Sequence, residues 1–201
     1  MPPRRWLTTC SCQLAGWGRQ VCSVKYPTVF HLIAQIFEKT DVSGVLIGGF
    51  AVNYYKVTRQ TARVDFLITE DDFGKISGLL EKGGYKKDYI QEVFARFKSD
   101  RLYLMDLDFM FVDRGTLDKI INSGKEISIA GQKFIIPCVE HLIALKLHSI
   151  KHNPKLREYK DMLDIIELIK VNKVDVKSTE FKELCLKYGT GGFYQKILER
   201  F

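Results

Sequence analysis

Val45-Leu46-Ile47-Gly48-Gly49-Phe50-Ala51 precedes, by a few residues, Arg59-Gln60-Thr61-Ala62-Arg63-Val64-Asp65-Phe66-Leu67-Ile68. The first apolar run is short and stops at paired glycines, the pattern of a buried strand that turns tightly into a helix over Phe50 to Lys56. Glycines at such a turn let backbone N–H groups approach a ligand, and a helix N-terminus adds partial positive charge. Together they suit a phosphate. A turn chosen only for packing would use the same two residues, so Gly48 and Gly49 gain their meaning from the charged strand after them.

Arg63 to Ile68 alternates and then turns apolar, as a strand does when its inner half is buried. Residues 63 and 65 then point to one polar face. A second strand is expected over Leu102–Val112, where Asp106 and Asp108 sit two residues apart in an apolar run and share a face. Ionised carboxylates there are costly to bury unless paired or metal-bound. One reading pairs an aspartate with Arg59, Arg63 or Arg101, or places it as a cap. The other sets Asp65 beside Asp106 or Asp108 on neighbouring strands next to the glycine turn, an oxygen-rich arrangement suited to Mg2+ carrying substrate phosphates.

Four motifs in order then resemble a known family: Gly48-Gly49-x-Ala51, Arg59-x-Thr61-x-Arg63-Val64-Asp65, Leu142-Ile143-Ala144-Leu145-Lys146-Leu147, and Arg157-x-x-Lys160-Asp161-x-x-Asp164. The pattern is similar to the AbiEii-like nucleotidyltransferases of the polymerase-beta-like superfamily, from about Tyr26 to the C-terminus. The resemblance implies transfer of a nucleoside monophosphate from a nucleoside triphosphate to an RNA (tRNA) or protein hydroxyl, with Mg2+ (or Mn2+) as cofactor and release of pyrophosphate. It also implies the toxin half of a toxin–antitoxin pair, with an antitoxin protein as partner. Carried over by position, Gly48, Gly49, Arg59, Thr61 and Lys146 bind the nucleotide. Asp65, Asp106 and Asp108 hold metal, with either Asp106 or Asp108 as the third carboxylate. Asp65, Asp108, Lys146 and Asp161 are the implied catalytic set.

One position departs from the family pattern. Arg63 stands where the first metal-binding Asp is expected, bringing positive charge to the place of a cation. Three outcomes are open: an inactive protein that still binds nucleotide, an enzyme that rebuilds its site with Asp106 and Asp108, or a substitution introduced on purpose or by error. Reduced or absent catalysis on a preserved fold is the favoured expectation. Its limiting form is a catalytically inactive NTP- or RNA-binding regulatory module.

Composition permits a generous core, since 46% of the 201 residues are hydrophobic, which excludes a wholly disordered chain. Lys and Arg outnumber Asp and Glu by 31 to 24, and the resulting charge of +7 favours polyanionic partners. Cys10, Cys12 and Cys22 lack the spacing of a zinc site, and with Cys138 and Cys185 they make an odd count. A reduced cytoplasmic protein is the simplest reading. Met1 to Trp17 is too polar for a signal peptide and no run is long enough to span a membrane, so residues 1–25 are expected to be a disordered tail or an overlong start.

The remaining periodicities predict an α/β (α+β) protein, with a mixed-sheet core over 26–136 and a helical C-terminal part over 137–201 packed on it. Helices are expected over Pro27–Lys39, Asp71–Lys82 and Thr116–Asn122, then over Cys138–Lys151, Leu156–Val171, Ser178–Lys187 and Phe193–Phe201. Glu92–Lys98 should form a hairpin with the aspartate strand, and Ile127–Ile129 another with Lys133–Ile136. Arg96 would face the nucleotide or, more ordinarily for a strand arginine, solvent. His148 and His152 at i, i+4 have chelating spacing, whereas His141 lies too far from them to share one ion. Lys146 either snorkels to the surface or meets a nucleotide, and Arg157, Lys160, Asp161 and Asp164 have the spacing of a helix-surface ion-pair network.

Overall fold

Thr28 accepts a hydrogen bond from the His31 backbone N–H and starts α1 (Val29–Thr40) in the computed structural model, which describes residues 26–101 and 103–201. The expected tail over residues 1–25 lies outside the described residues. Val29, Leu32, Ile33 and Ile36 recur at helical spacing and are buried, so one face of α1 becomes core. β1 (Val45–Ile47) passes directly into α2 (Gly48–Tyr54), which begins on the glycines rather than at Phe50. β2 (Arg63–Ile68) leads to α3 (Glu70–Lys82), whose first turn is capped by the Thr69 hydroxyl accepting from the Asp72 N–H.

β3 (Lys86–Gln91), β4 (Phe94–Lys98) and β5 (Asp106–Phe111) come next. The expected hairpin partner of β5 is β4, as the register Arg96↔Asp108 shows, and β5 begins four residues later than the alternation suggested. β3 carries no apolar alternation because every one of its residues is exposed. Backbone pairing with β4 alone makes it a strand. α4 (Arg114–Ser123) precedes the hairpin β6 (Lys125–Ile129) and β7 (Gln132–Ile136), whose connecting Ala130 and Gly131 both have positive φ. α5 (Val139–His152), α6 (Pro154–Asn172), α7 (Thr179–Tyr188) and α8 (Phe193–Leu198) complete the chain, and no strand lies beyond Ile136 among the described residues.

The strands form one seven-stranded sheet in the order β3-β4-β5-β2-β1-β7-β6, parallel at β2–β5 and β1–β7 and antiparallel elsewhere. An α/β fold with a mixed sheet is therefore present. The period of two along the strands separates its faces. Leu46, Val64, Phe66, Leu107, Phe109 and Phe97 turn to one side, where α1 and α3 cover them with Leu32, Ile33, Phe73, Ile76 and Leu80. Phe66 and Phe109 stack at 6.0 Å, and Phe97 meets Phe109 edge-on at 6.2 Å. Truncating one of these rings to Ala would cost about 3–5 kcal/mol. The opposite face is apolar only where Leu117 and Ile120 of α4 cover Val45, Ile47 and Leu67. Its other end carries Arg63, Asp65, Asp106 and Asp108, and α5 and α6 wall it without closing it.

Candidate active site

Gly48 has φ +64 and its missing side chain makes room for a neighbour: a Cβ there would collide with the Asp65 carboxylate. Gly49 does the same for Thr61, whose Cβ would lie 2.7 Å from an added Cβ. The two glycines therefore let α2 lie against the start of β2 and set Asp65 at the mouth of the turn. Thr61 donates its hydroxyl to the Arg63 carbonyl at 2.8 Å and fixes the entry to β2. Asn53 on α2 brackets Arg59 by donating to its carbonyl at 2.9 Å and accepting from its N–H at 2.7 Å. Nothing in the sequence pattern singled out Asn53, a polar residue on an exposed helix face.

The register places Arg63 opposite Asp106 and Asp65 opposite Asp108, so the polar pairs expected from alternation do meet on one face. The charges are arranged differently from a carboxylate cluster. Arg96 donates Nε to Asp108 Oδ1 at 2.7 Å and Nη2 to Oδ2 at 2.8 Å, and the Nε of Arg63 lies 3.2 Å from Oδ2. Asp108 is thus a buried carboxylate gripped by two guanidinium groups, and Arg96 turns to it rather than to open solvent. Burial and then the nearby Asp108 charge hold the Asp65 carboxyl above its ordinary range, while Arg63, Arg157 and Arg59 pull it back down.

Asp65 and Asp106 line the cleft and Asp108 does not. Among the described residues no three His, Cys, Asp or Glu side chains converge as the ligands of one ion would. A hard divalent cation needs oxygen ligands free of competing positive charge, and here Arg96 and Arg63 both engage Asp108. These side chains do not fit the Mg2+ (or Mn2+) site expected of Asp65, Asp106 and Asp108.

Lys146 is buried rather than snorkelling: its ammonium donates to Asp164 Oδ2 at 2.6 Å and to Asp161 Oδ1 at 3.1 Å. Asp161 and Asp164 turn inward from α6 to meet it, so they are not members of a surface network. Arg59 pairs with the same Asp164 oxygen through Nη1, and its Nε is buried without a hydrogen-bond partner among the described residues. The i, i+3 spacing of the two aspartates beside an apolar-flanked lysine was the available signal for this triad. His148 and His152 bring their rings within 4.3 Å, and His141 instead meets Ser123 Oγ at 2.9 Å.

These groups enclose a cleft of ≈ 790 Å3 that brings together Gly48, Gly49, Arg59, Thr61, Arg63, Asp65, Asp106, Lys146, Arg157, Lys160 and Asp161. Five of those side chains are cationic and three are acidic, but Arg63, Arg59 and Lys146 are paired with Asp108, Asp164 and Asp161, which leaves Arg157 and Lys160 as the lining cations with no salt bridge among the described residues. Lys160 responds to its cationic neighbours. Its ammonium is held below the ordinary lysine range, first by Arg59 and then by burial, with Arg157 adding to them against the pull of Asp164 and Asp161. Chemically the cleft can hold an extended anion, with a glycine turn at one end and guanidinium groups along its wall.

No protein-family model matches the chain, and no curated protein matches it. Solved structures do match. The solution structure of the antibiotic-resistance factor ANT(2'')-Ia is 15% identical over 78% of this chain and 86% of that one, with a TM-score of 0.56. The crystal structure of ANT(2'')-Ia in complex with adenylyl-2''-tobramycin is 14% identical over 85% and 95%, with a TM-score of 0.56. An antigenic nucleotidyltransferase-like protein from Paracoccidioides brasiliensis is 18% identical over 86% and 90%, with a TM-score of 0.53. At such identities the likeness is one of fold: the mixed sheet and its helices match those of nucleotidyltransferase structures.

Proposed function

We propose that the cleft binds a nucleoside triphosphate, with the phosphates lying between the Gly48-Gly49 turn and Arg59, Arg63, Arg157 and Lys160, and that Arg63 leaves nucleotidyl transfer weak or absent. The observation that carries this reading is that Arg157 and Lys160 line the same cleft as the Gly48-Gly49 turn with no salt bridge among the described residues, a charge that a polyphosphate would neutralise. The motif order shared with AbiEii-like nucleotidyltransferases supports the choice of a nucleotide over other anions. The test is binding and label transfer with each of four labelled triphosphates, comparing the protein with Arg63→Asp. Binding by both, with transfer confined to Arg63→Asp, is the expected result. Equal transfer by the two proteins would show that Arg63 does not disable the site.

A second reading keeps the enzyme active. Asp65 and Asp106 face the cleft, and the Arg63 side chain is 42% exposed, so it has room to swing off Asp108. Transfer would then form a bond from an RNA (tRNA) or protein hydroxyl oxygen to the α-phosphorus as the bond to pyrophosphate breaks. Asp65, whose raised pKa suits the task, would take the hydroxyl proton. In that case the protein would act as the toxin of a toxin–antitoxin pair, held in check by an antitoxin protein.

A further inference from the structure

We infer that the cleft takes its triphosphate without a divalent cation, because Arg63 supplies in covalent form the positive charge that an ion would bring. The inference rests on the proposal that the cleft binds a triphosphate. Arg63 stands opposite Asp106 in the β2–β5 pair, two residues before Asp65 on the same face, and its Nε is 3.2 Å from Asp108 Oδ2. The guanidinium therefore pairs with one of the three carboxylates that an ion would need and shares a sheet face with the other two. Asp108 has no oxygen to spare, since Arg96 engages both.

Adding a divalent ion at this point would set it against the Arg63 guanidinium, with only Asp65 and Asp106 facing the cleft to hold it. Adding a polyphosphate does the opposite. It meets Arg59, Arg63, Arg157 and Lys160 directly, and a guanidinium presents paired donors that match phosphate oxygens and stays charged at every working pH.

The experiment is calorimetric titration of ATP into the protein, in EDTA and in Mg2+, alongside Arg63→Asp and Arg63→Gln. The native protein is expected to bind with affinities that differ by less than about threefold between the two conditions. Arg63→Asp should lose about tenfold or more in EDTA and recover in Mg2+, because it exchanges the fixed cation for an ion ligand. Arg63→Gln, which keeps a polar side chain and neither charge, should lose affinity in EDTA and gain nothing from Mg2+. Native binding that requires Mg2+ would overturn the inference and leave the triphosphate reading standing, as would undiminished binding by Arg63→Gln in EDTA. No binding of ATP in either condition would remove both.

Discussion

Arg96 grips Asp108 with two donors of its guanidinium, Nε to Oδ1 at 2.7 Å and Nη2 to Oδ2 at 2.8 Å, across the β4–β5 pair. The carboxylate side chain is 4% exposed, so its charge is sustained by these bonds and by Arg63 rather than by water. Arg96→Ala should therefore destabilise the protein by about 3–5 kcal/mol, the usual consequence of leaving a buried charge short of its partner. The double replacement Arg96→Met with Asp108→Leu should cost less than Arg96→Ala alone. Urea denaturation of the variants checks the ranking, and an Arg96→Ala protein as stable as the parent would show that Arg63 alone suffices.

Asp65 should make the protein less stable at neutral pH than an uncharged residue in its place. Its carboxyl is raised above the ordinary range by burial and by Asp108, so the folded state holds the proton more tightly than the unfolded one. The penalty is absent below the unfolded-state pKa, about 4, and grows as pH rises through the higher folded value. Asp65→Asn should thus melt higher than the parent at pH 7, with the difference closing as the pH falls toward 4. Melting curves across that range decide it, and parallel profiles for the two proteins would contradict a buried Asp65 beside the Asp108 charge.

The strand positions of Asp65, Asp106 and Asp108 were legible because alternation along β2 and β5 fixes which residues share a face, whatever lies outside the strands. The glycine turn was legible for the same local reason, and its two collisions with Asp65 and Thr61 supply the packing cause that spacing could not. What alternation cannot express is which opposite charges meet. Arg96 reaches Asp108 only through the register of a third strand, and Lys146 reaches Asp161 and Asp164 only because α5 packs on α6. β3 was illegible for another reason, since an edge strand exposed on both faces buries nothing and leaves no apolar period. The consequence was largest for the metal site, where the three carboxylates are in place but Arg96 and Arg63 already occupy Asp108.

Gly48 should tolerate no side chain. At φ +64 an alanine is strained by about 1–2 kcal/mol, and its Cβ would also displace the Asp65 carboxylate from the mouth of the turn. Gly48→Ala is expected to lower the melting temperature and to weaken ATP binding together. By contrast Gly74→Ala, on α3 with open space around the position, should leave binding unchanged and stabilise slightly. Calorimetry on both variants separates a local rearrangement at the cleft from a general loss of stability. Unimpaired binding by Gly48→Ala would mean that the ligand does not use this turn.

Lys146 is held so firmly by Asp161 and Asp164 that its first duty is to the scaffold. Its side chain is 8% exposed, and removing the ammonium would leave Asp161 with no side-chain hydrogen-bond partner among the described residues and Asp164 with Arg59 alone. Lys146→Met should therefore cost about 3–5 kcal/mol. Asp161→Asn should cost less, about 1–3 kcal/mol, because Lys146 keeps its shorter contact to Asp164. A role in nucleotide contact would show separately: affinity for ATP, measured well below the unfolding temperature of each variant, should fall with Lys146→Met beyond what Asp161→Asn produces. If the two variants bind ATP alike while differing in stability, Lys146 joins the helices at the wall of the cleft and does not touch the nucleotide.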